Sequence, residues 1–343
     1  MQALDDHLEA VLRAGVPGAV VVTNGPALSW EQAAGVADAE SGAPMTTEHR
    51  FLIGSVSKTF VAAVVLQLVG EGALALDEEV GPIAEGVTLR QLLNHTSGLP
   101  DYYAGFESLI APYRADRGYK PNLTPRGALE LVHARPRLFA PGAGWEYSGG
   151  NYLALGLIVE EATGATLREE LKRRIAEALG LEGTDLRDRA GLARAYLQPG
   201  NPIFPDAAQA LDDVTDVELF GWGAGEMVST ARDVARFLQA LLGGELLTPD
   251  LRAELLTTVP SDWEESDGYG LGIEELSSLM GQAPSPCGSA WGHLGFAMGH
   301  TTIALSSESG DRQVVILANT LVMSDETWAA LGALTWACYC AEA

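Results

Sequence analysis

In the stretch FLIGSVSKTF, Ser55 and Lys58 stand three residues apart and are followed at once by the apolar run Phe60–Leu66. That run predicts a helix entered at the serine, with Gly54 permitting a sharp turn. Residues i and i+3 share a helix face, so the Lys58 ammonium can reach the Ser55 hydroxyl. A serine attacks a carbonyl only once a base has taken its proton. A lysine serves as that base when burial and the positive helix end depress its pKa. A capping serine and a surface lysine give the same spacing, but two features favour chemistry. The chain has only three lysines, Lys58, Lys120 and Lys172, and Lys58 opens a helix with almost no polar face, which carries it into an apolar environment. Two further acid–base groups stand apart: Tyr147, between the turn Pro141-Gly142-Ala143-Gly144 and a helix, and His293, on a late strand.

The elements that must position these groups follow from periodicity. Gln2–Arg13 reads as a helix with Leu4, Leu8, Val11 and Leu12 on one face, followed by strands at Ala19–Thr23 and near Leu28–Ala37. The Ser55 helix ends near Gly70, and Thr88–Asn94 is a short helix leading into His95-Thr96-Ser97-Gly98. His95 is read as structural. The chain to about residue 125 reads as irregular. Helices are expected at Pro125–Ala134, Asn151–Thr163 and Leu167–Leu179, with Gly164 and Gly180 as C-caps. Residues 196–225 form a long Pro/Asp/Gly-rich loop, of a length usually tied to function or mobility. Helices return at Ala231–Leu242 and Pro249–Thr257. Strands follow at Trp291–Ala297, Thr301–Ser306 and Gln313–Asn319, then a last helix over Glu326–Cys340. Strands at both ends around a helical middle indicate an α/β (α+β) class. We expect a discontinuous sheet domain from 1–80 and 221–343, and a mainly helical insertion from 81–220. The site is expected between them, walled by 101–125 and 196–225, with Trp222 either a wall or a core residue.

A formal net charge of −25 argues against nucleic acid or anionic membrane surfaces as partners. No apolar run is long enough to span a bilayer. Met1–Ala10 reads as the start of an acidic amphipathic helix and not as a signal peptide, so either a cytosolic protein or a mature secreted form is expected. Cys338 and Cys340, two apart in a helix, point apart and cannot pair; one of them can bridge to Cys287, or all three are free thiols. No ligand spacing suggests a metal, no cofactor is implied, and a monomer acting on a small-molecule or peptide substrate is compatible with everything read so far.

Three elements then come in a telling order: Ser55-Val56-Ser57-Lys58, Tyr147-Ser148-Gly149-Gly150-Asn151 and His293-Leu294-Gly295. With LRQLLNHTSGLPDY, PGAGWEYSGGNYLALGLIVEEATG and WGHLGFAMGH around them, the chain resembles the serine β-lactamase and DD-peptidase superfamily, whose marks are Ser-x-x-Lys, Tyr-x-Asn and Lys/His-x-Gly. It is most similar to the branch holding secreted DD-carboxypeptidases, D-aminopeptidases, class C β-lactamases and related esterases, and the similarity runs from about residue 1 to the C-terminus. The resemblance implies an antiparallel sheet flanked by helices and a serine hydrolase without metal or cofactor. It implies Ser55 as the nucleophile forming an acyl-enzyme, Lys58 taking or relaying its proton, and Tyr147 as general base and then proton donor to the leaving group. His293 would orient that network, and the N–H groups of Ser55 and Phe296, around Gly295, would form the oxyanion hole.

Departures from the family pattern bear on the substrate. The family's Asn after Tyr is Gly149 here, so its hydrogen bond to the substrate is lost unless Asn151 compensates. Leu294 and Phe296 replace hydroxyl residues that hold a terminal carboxylate, and residues 260–290 contain no Arg or Lys but carry Asp262, Glu264, Glu265, Asp267, Glu274 and Glu275. A carboxylate-ended substrate is therefore expected to bind poorly, and an ester, or an amide with a neutral or cationic end, to fit. A disulfide from Cys287 to Cys338 or Cys340 is also implied by the resemblance, and with it an extracellular location, a cytoplasmic one being the other reading. The same acyl-enzyme would also serve an acyltransferase or a penicillin-binding sensor that does not turn over. An α/β-hydrolase is disfavoured because no serine has glycine at both −2 and +2, and a P-loop because Lys58 lacks the preceding glycine.

Overall fold

The computed structural model describes residues 2–103, 105–204, 211–263 and 266–341. Its centre is an eight-stranded sheet in the order Ala43–Pro44, Ser29–Asp38, Gly18–Asn24, Gln313–Ala318, His300–Ser306, Ala290–Ala297, Glu274–Leu276, Ser266–Tyr269. Every neighbouring pair is antiparallel. The two ends of the chain meet in mid-sheet, where Ala19 lies opposite Ala318.

The central strands are buried on both faces, so they read as continuous apolar runs and not as an alternation. Val20, Val22, Val315 and Leu317 face one core, while Ala19, Val21, Val314 and Ile316 face the other. On the second face lie the helices Gln2–Arg13 and Asp325–Tyr339, which also pack on each other. The first face takes Val56–Gly70 and Ala231–Leu242. The same core continues into the helices Leu89–Leu93 and Gly149–Thr163, so the serine helix is clamped between the sheet and the helical region. No helix among the described residues is long and apolar enough to cross a membrane.

The structure differs from the sequence reading in several places. Phe106–Ala115 is a helix inside the stretch read as irregular, despite Pro112. Burial of Ile110 and Tyr113 against Ile203, Phe204 and Val217 holds it, a gain that propensity does not register. Ser266–Tyr269 and Glu274–Leu276 are strands without an apolar alternation; they add to the sheet through the edge offered by Ala290–Ala297. The segment read as one helix over 167–179 contains a π-helical turn at Lys172–Ala176. Gly164 and Gly180 do close their helices, at φ +71° and +68°.

Cys287 and Cys340 form a disulfide with Cα atoms 5.7 Å apart, and Cys338 is a buried free thiol. Burial pushes the Cys338 thiol up to about 12, so it is inert in the folded protein. A thiol titration of denatured, unreduced protein is expected to count one group, and three after reduction. Three groups before reduction would remove the bridge.

Candidate active site

Ser55 precedes the helix Val56–Gly70 at φ −63°, ψ −13°, and its hydroxyl makes no capping bond. The oxygen accepts from Lys58 Nζ at 3.0 Å instead. Ser57, two residues on, donates to the Gly54 carbonyl at 2.6 Å and accepts from the Met227 N–H, so it is tied into the fold. Lys58 is 3 % exposed and also donates to the Ala224 carbonyl at 2.6 Å. Burial draws its ammonium down to about 7, against the opposing pull of Asp101 and Glu274. The Lys58 nitrogen stands 4.8 Å from the centre of the Tyr147 ring.

Burial acts in the opposite sense on Tyr147, pushing its phenol well above the usual 10, with the Ser55 hydroxyl pulling the other way. Its hydroxyl has no well-formed hydrogen bond among the described residues. Near neutral pH the lysine is therefore the group able to accept a proton, and the tyrosine retains its own. Desolvation penalises the charged form of each group, the ammonium in one and the phenolate in the other, so the two shifts run in opposite senses.

His293 is 2 % exposed, and burial draws it down to about 3, so it is neutral. Its Nδ1 lies 2.5 Å from the Leu294 carbonyl and 3.4 Å from Glu274, and its Nε2 lies 3.2 Å from the Tyr269 hydroxyl. It meets Tyr147 only ring to ring, at 6.0 Å. On the other side of Tyr269, His95 Nε2 lies 3.3 Å from the same hydroxyl, and the His95 ring is 4.4 Å from that of Tyr147. His95 Nδ1 accepts from the Ser148 N–H at 3.2 Å, which places the imidazole proton on Nε2. A buried line His95–Tyr269–His293 thus lies against the Tyr147 ring, and the structural reading of His95 acquires a definite place beside that ring.

Several sequence expectations need correction here. Asn151 cannot stand in for the missing donor at Gly149. It is fully buried, with Oδ1 accepting from Ser97 at 2.5 Å and Nδ2 on His95 at 2.9 Å. Trp222 is a core residue that packs on Gly156, where a Cβ would come within 2.5 Å of its ring. Gly295 does not face substrate; it allows its strand to approach the Ile53 carbonyl. Leu294 belongs to the core on the opposite face of the sheet, as strand alternation requires. Phe296, 42 % exposed, stands at the cavity wall. Gly149 lines the cavity, its N–H donates to Asp101 Oδ2 at 3.2 Å, and a Cβ there would press on Tyr102. Glycine at this position therefore makes room for an aromatic wall.

The cavity over Ser55, about 230 Å³, has walls of Tyr102, Tyr103, Leu109, Phe220, Phe296 and Met298. Besides Lys58, its ionisable members are Asp101, Glu226 and Arg189. Asp101 Oδ1 is buried without a hydrogen-bond partner. Glu226 is 9 % exposed with Arg187 at 3.0 Å, and burial raises its pKa above the usual range. Among the described residues, none of 260–290 lines the cavity over Ser55. Asp267 and Glu275 accept from Ser277 and Ser289, and Glu274 is buried beside His293. Glu264 and Glu265 lie outside the described residues, as do 205–210 of the expected wall. Asp101 and Tyr102 close the motif LRQLLNHTSGLPDY and were within reach of sequence reasoning; Tyr269, Glu226 and Phe220 carried no local signal.

The chain matches the family model described as Beta-lactamase over residues 4–335. It is 38 % identical to Esterase EstB of Burkholderia gladioli over 304 residues, 76 % of this chain and 74 % of that protein. Among solved structures it is similar to a D-stereospecific amidohydrolase from Streptomyces sp., with a TM-score of 0.78 and 28 % identity over 95 % of this chain and 96 % of that one. A D-amino acid amidase from Ochrobactrum anthropi SV3, complexed with L-phenylalanine amide, gives a TM-score of 0.83 and 26 % identity over 98 % and 97 %.

Proposed function

We infer that this chain, which belongs to the Beta-lactamase family and so to a family of serine hydrolases, cleaves an ester or amide bond through an acyl-enzyme on Ser55. The observation that carries this reading is the buried Lys58 nitrogen, 3.0 Å from the Ser55 oxygen and held close to neutrality. In the proposed sequence neutral Lys58 takes the Ser55 proton as Oγ bonds to the carbonyl carbon. The N–H groups of Ser55 and Phe296 stabilise the oxyanion. Tyr147 gives its proton to the departing nitrogen or oxygen and regains one from the Lys58 ammonium. Water then attacks the acyl-enzyme by the same steps in reverse order of proton transfer. The role of His95, Tyr269 and His293 is to hold the Tyr147 ring in place.

The cavity favours substrates without a terminal carboxylate. Its acidic side chains are Asp101 and Glu226, and Glu226 and Glu218 lie close enough to Arg189 to offset its charge. A neutral acyl group, or one bearing an amine, suits this wall; the D-amino acid amidase among the similar structures supports the amine. The Cys287–Cys340 bridge supports an oxidising, extracellular setting. The test is a kinetic comparison of a neutral nitrophenyl ester, an aminoacyl amide with a free amine, and an acyl-D-Ala-D-Ala peptide, with Ser55→Ala as control. Cleavage of the first two through Ser55, with the peptide at least tenfold slower, is expected. Preference for the peptide would overturn the substrate reading.

A further inference from the structure

A second cavity of about 350 Å³ adjoins the one over Ser55 and shares Tyr102, Tyr103 and Leu109 with it. Its remaining walls include Pro112, Tyr113 and Leu123, and no charged side chain lines it among the described residues. Its rim holds Leu131 and Tyr119, exposed by 47 % and 38 %, which are among the few large apolar side chains open to water.

The partition between the two cavities is formed by Tyr102, Tyr103 and Leu109. The hydroxyls of Tyr102 and Tyr103 donate to one and the same acceptor, the Phe220 carbonyl, at 2.9 and 3.0 Å. Their rings stand 4.3 Å apart. A carbonyl has two lone pairs, so either tyrosine can turn its hydroxyl to water while the other keeps Phe220 paired. Swinging one ring aside therefore leaves no buried acceptor orphaned, which is the usual cost of such a movement.

We propose that the second cavity is a distal subsite for an alkyl or aryl chain of the substrate whose carbonyl sits at Ser55. The wall it shares with the catalytic cavity and its uncharged lining, beside the acidic pole at Asp101, set the occupant: the apolar chain of an ester or amide already bound at the serine. The proposal rests on the acyl-hydrolase reading of Ser55.

The test uses the full chain with two series of esters, p-nitrophenyl alkanoates from acetate to decanoate and alkyl acetates of rising chain length. In one series kcat/KM is expected to climb by up to about fourfold per methylene, the gain from burying a CH2 group. A climb in the first assigns the acyl chain to the subsite, and a climb in the second the alcohol chain. Leu131→Gln is expected to lower the ratio of long-chain to short-chain kcat/KM by at least fivefold. Leu138→Gln, equally surface-placed at 50 % exposure and outside both cavities, is expected to leave that ratio as it is. Two flat series, or an equal ratio in Leu131→Gln and wild type, would overturn the subsite. Loss of all Ser55-dependent hydrolysis, acetate included, would instead overturn the reading on which it rests.

Discussion

Replacing Lys58 by methionine is expected to lower kcat/KM on a nitrophenyl ester by roughly 10³- to 10⁴-fold, the range of a lost general base acting on a weak nucleophile. Methionine fills much the same volume, and Lys58 is 3 % exposed among apolar neighbours, so the fold should stand. Linkage points the same way. The Lys58 pKa falls from 10.5 to about 7 on folding, so the unfolded chain binds the extra proton between those values. Burial of the ammonium therefore costs stability in full below about pH 7 and is relieved as pH rises towards 10.5. At pH 6 methionine removes that cost. The wild-type kcat/KM for a non-ionising ester is expected to rise with pH through an inflection near 7, as the neutral amine appears. The residual rate of Lys58→Met should lack that inflection. A profile that turns only above pH 9, or a variant that keeps a tenth of the activity, would remove Lys58 as the base.

Gly54→Ala is the second change of large expected effect. Gly54 has φ +53°, a conformation that costs an alanine roughly 1–2 kcal/mol. A Cβ there would also run into the backbone nitrogen of Phe296. That nitrogen and the Ser55 N–H are the proposed oxyanion donors, and only a glycine lets the two segments come so close. The alanine variant must move one of them away from the reacting oxygen. A fall in kcat of about 10²- to 10³-fold is expected, as for a lost oxyanion donor, with the melting midpoint lowered by roughly 2–3 °C. If the midpoint fell while kcat held, Gly54 would matter to folding alone, and Phe296 would not belong to the oxyanion hole.

Much of the catalytic frame is legible in the sequence because its parts are local. Ser55 and Lys58 lie one helical turn apart, so spacing alone puts them on one face. The unbroken apolar run Phe60–Leu66 that follows announces that the lysine goes into the core with it. Turn chemistry before Tyr147 places it just ahead of a helix, and the apolar runs around His293 place it within a strand. The two-residue spacing of Cys338 and Cys340 already forbids their pairing, and only the docking of the last helix chooses Cys340 for Cys287.

What the tertiary structure decided depends on groups far apart in sequence. Tyr269 reaches His95 across 174 residues and His293 across 24. Asp101, Phe220 and Glu226 meet Ser55 only when the helical region closes over the sheet. Asn151 turns to Ser97 and His95, not to the cavity, because a helix assigns direction by its own rotation, which is set once its face is packed. Protonation was decided there too. The spacing of lysine and tyrosine in a sequence carries no pKa, and only the depth at which the fold buries Lys58 and Tyr147 lowers the first and raises the second.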